Sequence, residues 1–107
     1  MSEEHVNKLA ADIFKALAHP VRIKILQMLK KRTYCVCEMM EMMTVEQSNL
    51  SQHLNILKKQ GLIDSEKVGQ RVNYHIVHPC VGELIEVAEK LIGERLGKNQ
   101  ALFDFLQ

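Results

Sequence analysis

Cys35 and Cys37 stand one residue apart in Tyr34-Cys35-Val36-Cys37-Glu38-Met39, and this pair is the stretch best suited to chemistry. Two neighbouring thiolates are a soft donor pair, which suits thiophilic ions more than Mg or Ca. A helix N-terminus lowers a thiol's pKa and makes thiolate available. In a regular helix, however, residues i and i+2 point about 200° apart and cannot chelate one ion together. In an extended segment they share a face. The pair is therefore expected on an unwound first turn of the helix that begins near Val36. The alternative for Cys35, Cys37 and Cys80 is that they are small buried hydrophobes.

A second chemical surface follows in Gln47-Ser48-Asn49-Leu50-Ser51-Gln52-His53-Leu54-Asn55-Ile56-Leu57. As a helix it places Leu50, Leu54 and Leu57 on one core-facing stripe. The other face carries Gln47, Ser48, Ser51, Gln52 and Asn55, polar and almost uncharged. A solvated face would be built from Glu and Lys. Amides and hydroxyls in a row can instead hydrogen-bond base edges in a major groove. His53 lies at the edge of this face, where it reaches phosphate or base or fills a helix contact.

The elements that must position these residues are mostly helical. Val6, Leu9, Ala10, Ile13, Phe14 and Leu17 form a helical stripe, ended by His19-Pro20. Proline at a first helical position opens a second helix, which runs to Lys30-Lys31-Arg32. His19 reads as its cap. A third, short helix is expected over Val36–Met43, with Met39, Met40 and Met43 as adaptable core. Thr44-Val45-Glu46-Gln47 fits a capping box for the fourth helix, and Gly61 fits its C-cap glycine. The third and fourth helices then form a helix-turn-helix.

The period next switches to strand. Leu62–Val68 and Arg71–Val77 flank Gly69-Gln70, a Gly-first pair suited to a two-residue hairpin turn. Lys67, Gln70 and Arg71 sit near its tip. After His78-Pro79 a long helix carries Val81, Leu84, Ile85, Ala88, Leu91, Ile92 and Leu96, and an apolar tail follows with Leu102, Phe103, Phe105 and Leu106. This order predicts a mainly α winged helix-turn-helix domain with a small β-hairpin. The first and last helices carry more apolar surface than so small a core needs. That surplus points to a homodimer interface, with packing inside one subunit as the alternative.

Composition is compatible with this reading. The chain has 107 residues, 47% hydrophobic and 25% charged, enough for one small domain. No apolar run approaches the ~20 residues that span a bilayer, and the acidic, polar start does not read as a signal peptide. A cytoplasmic protein is expected, with its three cysteines as free thiols, metal ligands or redox groups rather than structural bridges. Net charge is only +1. Between Phe14 and Tyr34, however, stand Lys15, Arg22, Lys24, Lys30, Lys31 and Arg32 and no acid, which suits one phosphate-facing side or a plain solvated face. His5 and His75 carry no signal. No carboxylate pair, nucleophile–base pair or phosphate-cradling loop points to an enzyme.

Three segments together resemble the ArsR/SmtB family of metal- and stress-sensing repressors. Phe14-Lys15-Ala16-Leu17-Ala18-His19-Pro20-Val21-Arg22-Ile23-Lys24-Ile25-Leu26 is similar to the family's ALAHPxRLxIL segment. Leu50-Ser51-Gln52-His53-Leu54-Asn55-Ile56-Leu57, with Gly61-Leu62-Ile63, is similar to its VSxHLxxLxxxGLV block. Gly69-Gln70-Arg71 and Asn73-Tyr74 resemble its wing. The box around Cys35 and Cys37 resembles the ELCVCDL box of arsenic-responsive members, with Met40 where a third thiol often stands. The resemblance extends from about residue 9 to about residue 92.

The resemblance implies a dimeric repressor that leaves a two-half-site operator in double-stranded DNA when an inducer binds. Residues 1–18 and 79–107 would dimerise, 36–60 form the helix-turn-helix and 62–77 the wing, in one domain of 1–107. Gln47, Ser48, Asn49, Ser51, Gln52 and His53, with Lys67, Gln70 and Arg71, would contact DNA. Lys30 to Arg32 would add phosphate contacts. Cys35 and Cys37 would bind arsenite or a soft divalent ion (Cd, Pb, Zn), and distortion of the third helix would shift the reading helix. Zinc sensors of the family place a site where this chain has His78, Cys80, Leu91 and Glu94. Leu91 lacks a donor, which leaves His78 and Cys80 as candidates for a residual site. A redox or persulfide sensor of the same fold, a metal buffer and a winged-helix protein-interaction module are the rival expectations.

Overall fold

The structure, a computed structural model, describes residues 1–97, along which five helices and three short strands follow one another. The element order is α1 (Glu3–Leu17), α2 (Pro20–Lys31), β1 (Tyr34–Cys35), α3 (Val36–Met42), α4 (Gln47–Lys59), β2 (Ile63–Val68), β3 (Arg71–Ile76) and α5 (Cys80–Leu96). The apolar tail with Leu102, Phe103, Phe105 and Leu106 lies outside the described residues, as does the end of the expected 79–107 dimerisation segment. No helix among the described residues is long and apolar enough to cross a membrane.

Local signals fix most element ends. The Ser2 hydroxyl accepts a hydrogen bond from the His5 amide at 3.1 Å, and Glu3 and Glu4 face the positive end of α1. His19 caps α2 through Nδ1, which accepts from the Val21 amide at 3.1 Å, with Pro20 just inside. At the end of α4, Gly61 adopts φ +74°. The Gly61 amide donates to the Lys58 carbonyl at 3.0 Å and the Leu62 amide to the Leu57 carbonyl at 3.1 Å. This is a Schellman ending, which turns the chain directly into β2.

The capping box expected at Thr44 does not form. The helix starts at Gln47, its N-cap is Glu46, and no side chain caps it. The box lies one helix earlier instead. Cys35 is the N-cap of α3: its sulfur accepts from the Glu38 amide at 3.3 Å, and the Glu38 carboxylate accepts from the Cys35 amide at 3.0 Å.

The sheet has three strands in the order β1-β3-β2, all antiparallel. The expected hairpin is β2–β3, with Ile63 opposite Ile76 and Val68 opposite Arg71. Gly69 has φ +64° and Gln70 does not have positive φ, the pattern of a II′ turn, which requires glycine first. Strand β1 is an addition. It pairs Tyr34 with Tyr74 and Cys35 with Asn73. Two residues are too short to show a period, so only the fold reveals this strand.

The core lies between the sheet and the inner faces of α2, α3, α4 and α5. Ile25, Leu26, Met39, Leu50, Leu54, Leu57, Ile63 and Ile85 are fully buried within it. Each such side chain contributes roughly 1.5–3 kcal/mol through burial. The Leu50, Leu54 and Leu57 stripe thus anchors α4 and leaves its polar face outward. The surplus stripes of α1 and α5 are not consumed within the subunit. Phe14 is 61% exposed, Val87 64% and Leu91 54%.

Candidate nucleic-acid interface and thiol pair

Helix α4 presents Gln47, Ser48, Asn49, Ser51, Gln52 and Asn55 as exposed side chains. The wing tip presents Lys67, Gln70 and Arg71, also exposed. Gln47, Ser51, Gln70 and Arg71 line one open cleft of about 520 Å³, so the start of α4 and the wing tip border a single surface. Such a surface can offer amides and hydroxyls to base edges and cations to the backbone.

His53 departs from this row. It is half-buried, with its ring centroid 4.3 Å from that of His19. Its Nδ1 lies 3.1 Å from Arg22 Nη1, which donates to it and so fixes the neutral tautomer. Burial, then the nearby His19 and Arg22 charges, lower its pKa. In the sequence Arg22 belongs to a basic block that suits either a phosphate-facing side or a plain solvated face. Its guanidinium instead donates from Nε to the Ala16 carbonyl at 2.6 Å and from Nη2 to the Lys15 carbonyl at 3.3 Å. Arg22 therefore ties the end of α1 to α4. The "HPxR" spacing from His19 to Arg22 was the available signal.

The rest of the basic block is also partly engaged. Lys30 pairs with Glu86 of α5 at 2.6 Å. Arg32 pairs with Glu38 at 2.9 Å and lies 3.7 Å over the Tyr34 ring. This mutual contact raises the Arg32 pKa and, with the Cys35 amide, lowers that of Glu38. Lys30 and Arg32 thus also hold α5 and the start of α3, while Lys31 is exposed.

Cys35 and Cys37 are joined as a disulfide, with Cα atoms 5.3 Å apart. Free thiols, metal ligands or redox groups were expected rather than structural bridges, and among these a bridged pair agrees only with a redox group; the expected unwound turn is not seen. The first turn of α3 is regular from Val36, while Cys35 lies outside it in extended backbone at φ −84°, ψ 162°. The N-cap conformation turns the Cys35 side chain toward the helix start and brings the sulfurs together, within normal bridging distance. Cys35 is 1% exposed, whereas Cys37 is exposed. Both line the cleft that holds Gln47, Ser51, Gln70 and Arg71. As a soft-ion site the pair supplies two sulfurs, and only after reduction.

Cys80 is a free, exposed thiol at the start of α5. It lines a different groove of about 550 Å³, with Phe14, Leu84, Val87 and Leu91. Among the described residues no group of three or more His, Cys, Asp or Glu side chains is gathered in a way that could hold a metal. Leu91 supplies apolar surface in the groove that Cys80 lines.

A short capped helix before an exposed polar helix, followed by a β-hairpin beside it, defines a winged helix-turn-helix domain. Residues 19–65 match the family model described as "Bacterial regulatory protein, arsR family". The chain is 37% identical over 108 residues to the HTH-type transcriptional regulator Rv0081 of Mycobacterium tuberculosis, covering all of this chain and 95% of that protein. The Rv0081 crystal structure superposes with a TM-score of 0.81 at 38% identity, over 88% of this chain and 95% of the other. The chain belongs to the arsR family and is a transcriptional regulator of that family.

Two further relatives bear on its use. The HTH-type transcriptional repressor SmtB of Mycobacterium tuberculosis is 35% identical over 85 residues, covering 79% of this chain and 63% of that one. The solution structure of the homodimeric winged helix-turn-helix DNA-binding domain Mb0332 from Mycobacterium bovis has a TM-score of 0.80 at 26% identity, covering 90% and 91%.

Proposed function

We propose that this chain is a cytoplasmic, homodimeric repressor that reads an operator with α4 and the wing and releases it when the Cys35–Cys37 pair reacts. The observation that carries the proposal is one cleft shared by Cys35, Cys37, Gln47, Ser51, Gln70 and Arg71. In this reading Gln47, Ser48, Asn49, Ser51 and Gln52 contact base edges, and Lys67, Gln70 and Arg71 reach the backbone or minor groove. The uncapped first turn of α4 adds amides and a positive helix end that suit a phosphate. His53 acts behind this surface, by holding α4 to Arg22.

The exposed apolar faces of α1 and α5 support dimerisation, as does the homodimeric Mb0332 domain. A twofold dimer reads two half-sites. Val87→Glu places a charge in that face and should convert a dimer to a monomer in sedimentation velocity.

The inducer in this proposal is arsenite or another soft ion, such as cadmium, lead or zinc, held by the reduced pair. The cleft replaces a relay through α3 with a local effect, since an adduct at the pair changes the surface that DNA would cover. Coupling of this kind is reciprocal, so DNA must weaken inducer binding by the same factor. The decisive experiment titrates arsenite, cadmium, lead, zinc and a persulfide donor against the DNA-bound protein. Cys35→Ser and Cys37→Ser should abolish release, and Cys80→Ser should leave it intact. Release that persists without both cysteines would refute the proposal.

A second reading, thiol–disulfide control, is favoured by the bridge between Cys35 and Cys37. It predicts that DNA affinity differs between the reduced and oxidised chain with no metal present.

A further inference from the structure

We propose that a pocket between α2 and α5, separate from the thiol cleft, binds a small phosphate monoester that also carries free hydroxyl groups, such as a sugar phosphate. The pocket is about 270 Å³ and shares no lining residue with the cleft of Cys35 and Cys37. Lys24, Gln27 and Lys31 stand at i, i+3 and i+7 on α2, so they lie along one helix face. All three line the pocket, together with buried Met28 and Tyr34. Glu89 lines it from α5. Lys30 borders it too, but its ammonium is held by Glu86 at 2.6 Å. The Lys30 stem runs beside Gly82, where an added Cβ would come within 3.1 Å of Lys30 Cγ. Lys30 thus braces α2 against α5 and leaves the ligand to its neighbours.

Charge decides the ligand class. Among the described residues Lys24, Lys31 and Glu89 have no ion-pair partner. Two free cations match a phosphate monoester, which carries about −1.5 to −2 at neutral pH. A monocarboxylate would leave one of them unmatched. Lysine binds phosphate as a point charge, and the Gln27 amide adds two donors. An ionised Glu89 only accepts hydrogen bonds, so it suits hydroxyl groups on the rest of the ligand and repels a second phosphate. The same carboxylate disfavours a DNA backbone here, because a phosphodiester brings one charge and no hydroxyl donor. The volume lies near the small end of ligand pockets, roughly 300–1,000 Å³, which suits a ligand of one sugar ring. The cysteines take no part, so this site stands or falls independently of the proposed thiol-dependent release.

The test uses the full chain and four probes in isothermal titration calorimetry: ribose phosphate, inorganic phosphate, ribose and succinate. Ribose phosphate is expected to bind once per chain, at least about tenfold more tightly than each of the other three. Lys24→Gln and Lys31→Gln should each weaken it by about tenfold or more. Glu89→Gln should bring ribose phosphate and inorganic phosphate within about threefold of each other. Lys59→Gln, at the far end of α4, should leave binding unchanged, and circular dichroism checks that each variant folds. The inference is overturned if ribose phosphate shows no saturable binding, or if Lys24→Gln and Lys31→Gln leave its affinity unmoved. Equal affinity for ribose phosphate and inorganic phosphate, or for ribose phosphate and succinate, would overturn the ligand class. A loss with Lys59→Gln as large as that with Lys31→Gln would reveal a general effect of charge and overturn the site.

Discussion

The backbone of Cys35 lies opposite that of Asn73 in the sheet. Asn73 belongs to the strand that begins with Arg71 at the wing tip. Two residues of β1 thus hold the thiol pair against the wing, and α3 starts from that fixed point with Cys35 as its cap. In the proposed function, a change of state at the pair would reach the wing through this hydrogen-bonded backbone as well as across the cleft. From this arrangement follow expectations for each part of the surface.

The polar face of α4 and the wing should fail differently. Gln52→Ala should cost about 1–3 kcal/mol on the best DNA site and little on random DNA. Arg71→Ala should weaken both and reduce the salt dependence by about one phosphate contact. Fluorescence anisotropy across a salt series measures the two together. Equal loss on specific and random DNA for Gln52→Ala would remove its base-reading role.

The two sulfurs of the pair should not react alike. After reduction, exposed Cys37 should be alkylated by iodoacetamide before buried Cys35, whose sulfur is also occupied as a helix cap. Peptide mapping over a short time course reports the order. Cys35 modified first would contradict the cap geometry.

His53 makes the fold sensitive to acid. Burial and the His19 and Arg22 charges hold its pKa below the usual value near 6.5. The unfolded chain then binds a proton that the folded chain resists, so stability rises with pH through this window. The contribution is complete above about pH 6.5 and is lost as pH falls through the depressed folded value. Thermal melts between about pH 7.5 and 5.5 should show the drop, and His53→Gln should flatten it.

Gly61 should tolerate substitution poorly although it has room. A Cβ there would meet nothing within 4 Å, yet φ is +74°. Gly61→Ala should therefore cost about 1–2 kcal/mol from backbone conformation alone. A urea titration with an unchanged slope would assign the loss to stability.

Much of this arrangement was legible before any coordinates. Leu50, Leu54 and Leu57 announced both the buried and the outward face of α4, because a helical period separates them. Gly61 and Gly69 marked two turns that need positive φ. The cysteine geometry was misread because the helix was expected to unwind in its first turn, whereas it is regular from Val36 and Cys35 is its N-cap. One residue of shift at a helix start decides whether two side chains diverge or meet. Thr44 misled in a similar way, since Cys35 is an uncommon cap and Thr44 a common one. Arg22 and the Lys30–Arg32 run look alike as basic residues in a row. Their partners, Ala16, His53, Glu86 and Glu38, are set by tertiary packing that a charge count does not contain.

Arg22 has one more consequence. By gripping the last carbonyls of α1 and the flank of α4, it fixes how far the outward polar face stands from the apolar face of α1. In the proposed dimer, whose interface includes α1, the placement of α4 relative to α1 contributes to the gap between the two recognition helices. Arg22 thus works as the set-screw of a calliper. It touches no base in this reading, yet in the proposed dimer it contributes to the half-site spacing the two helices can span.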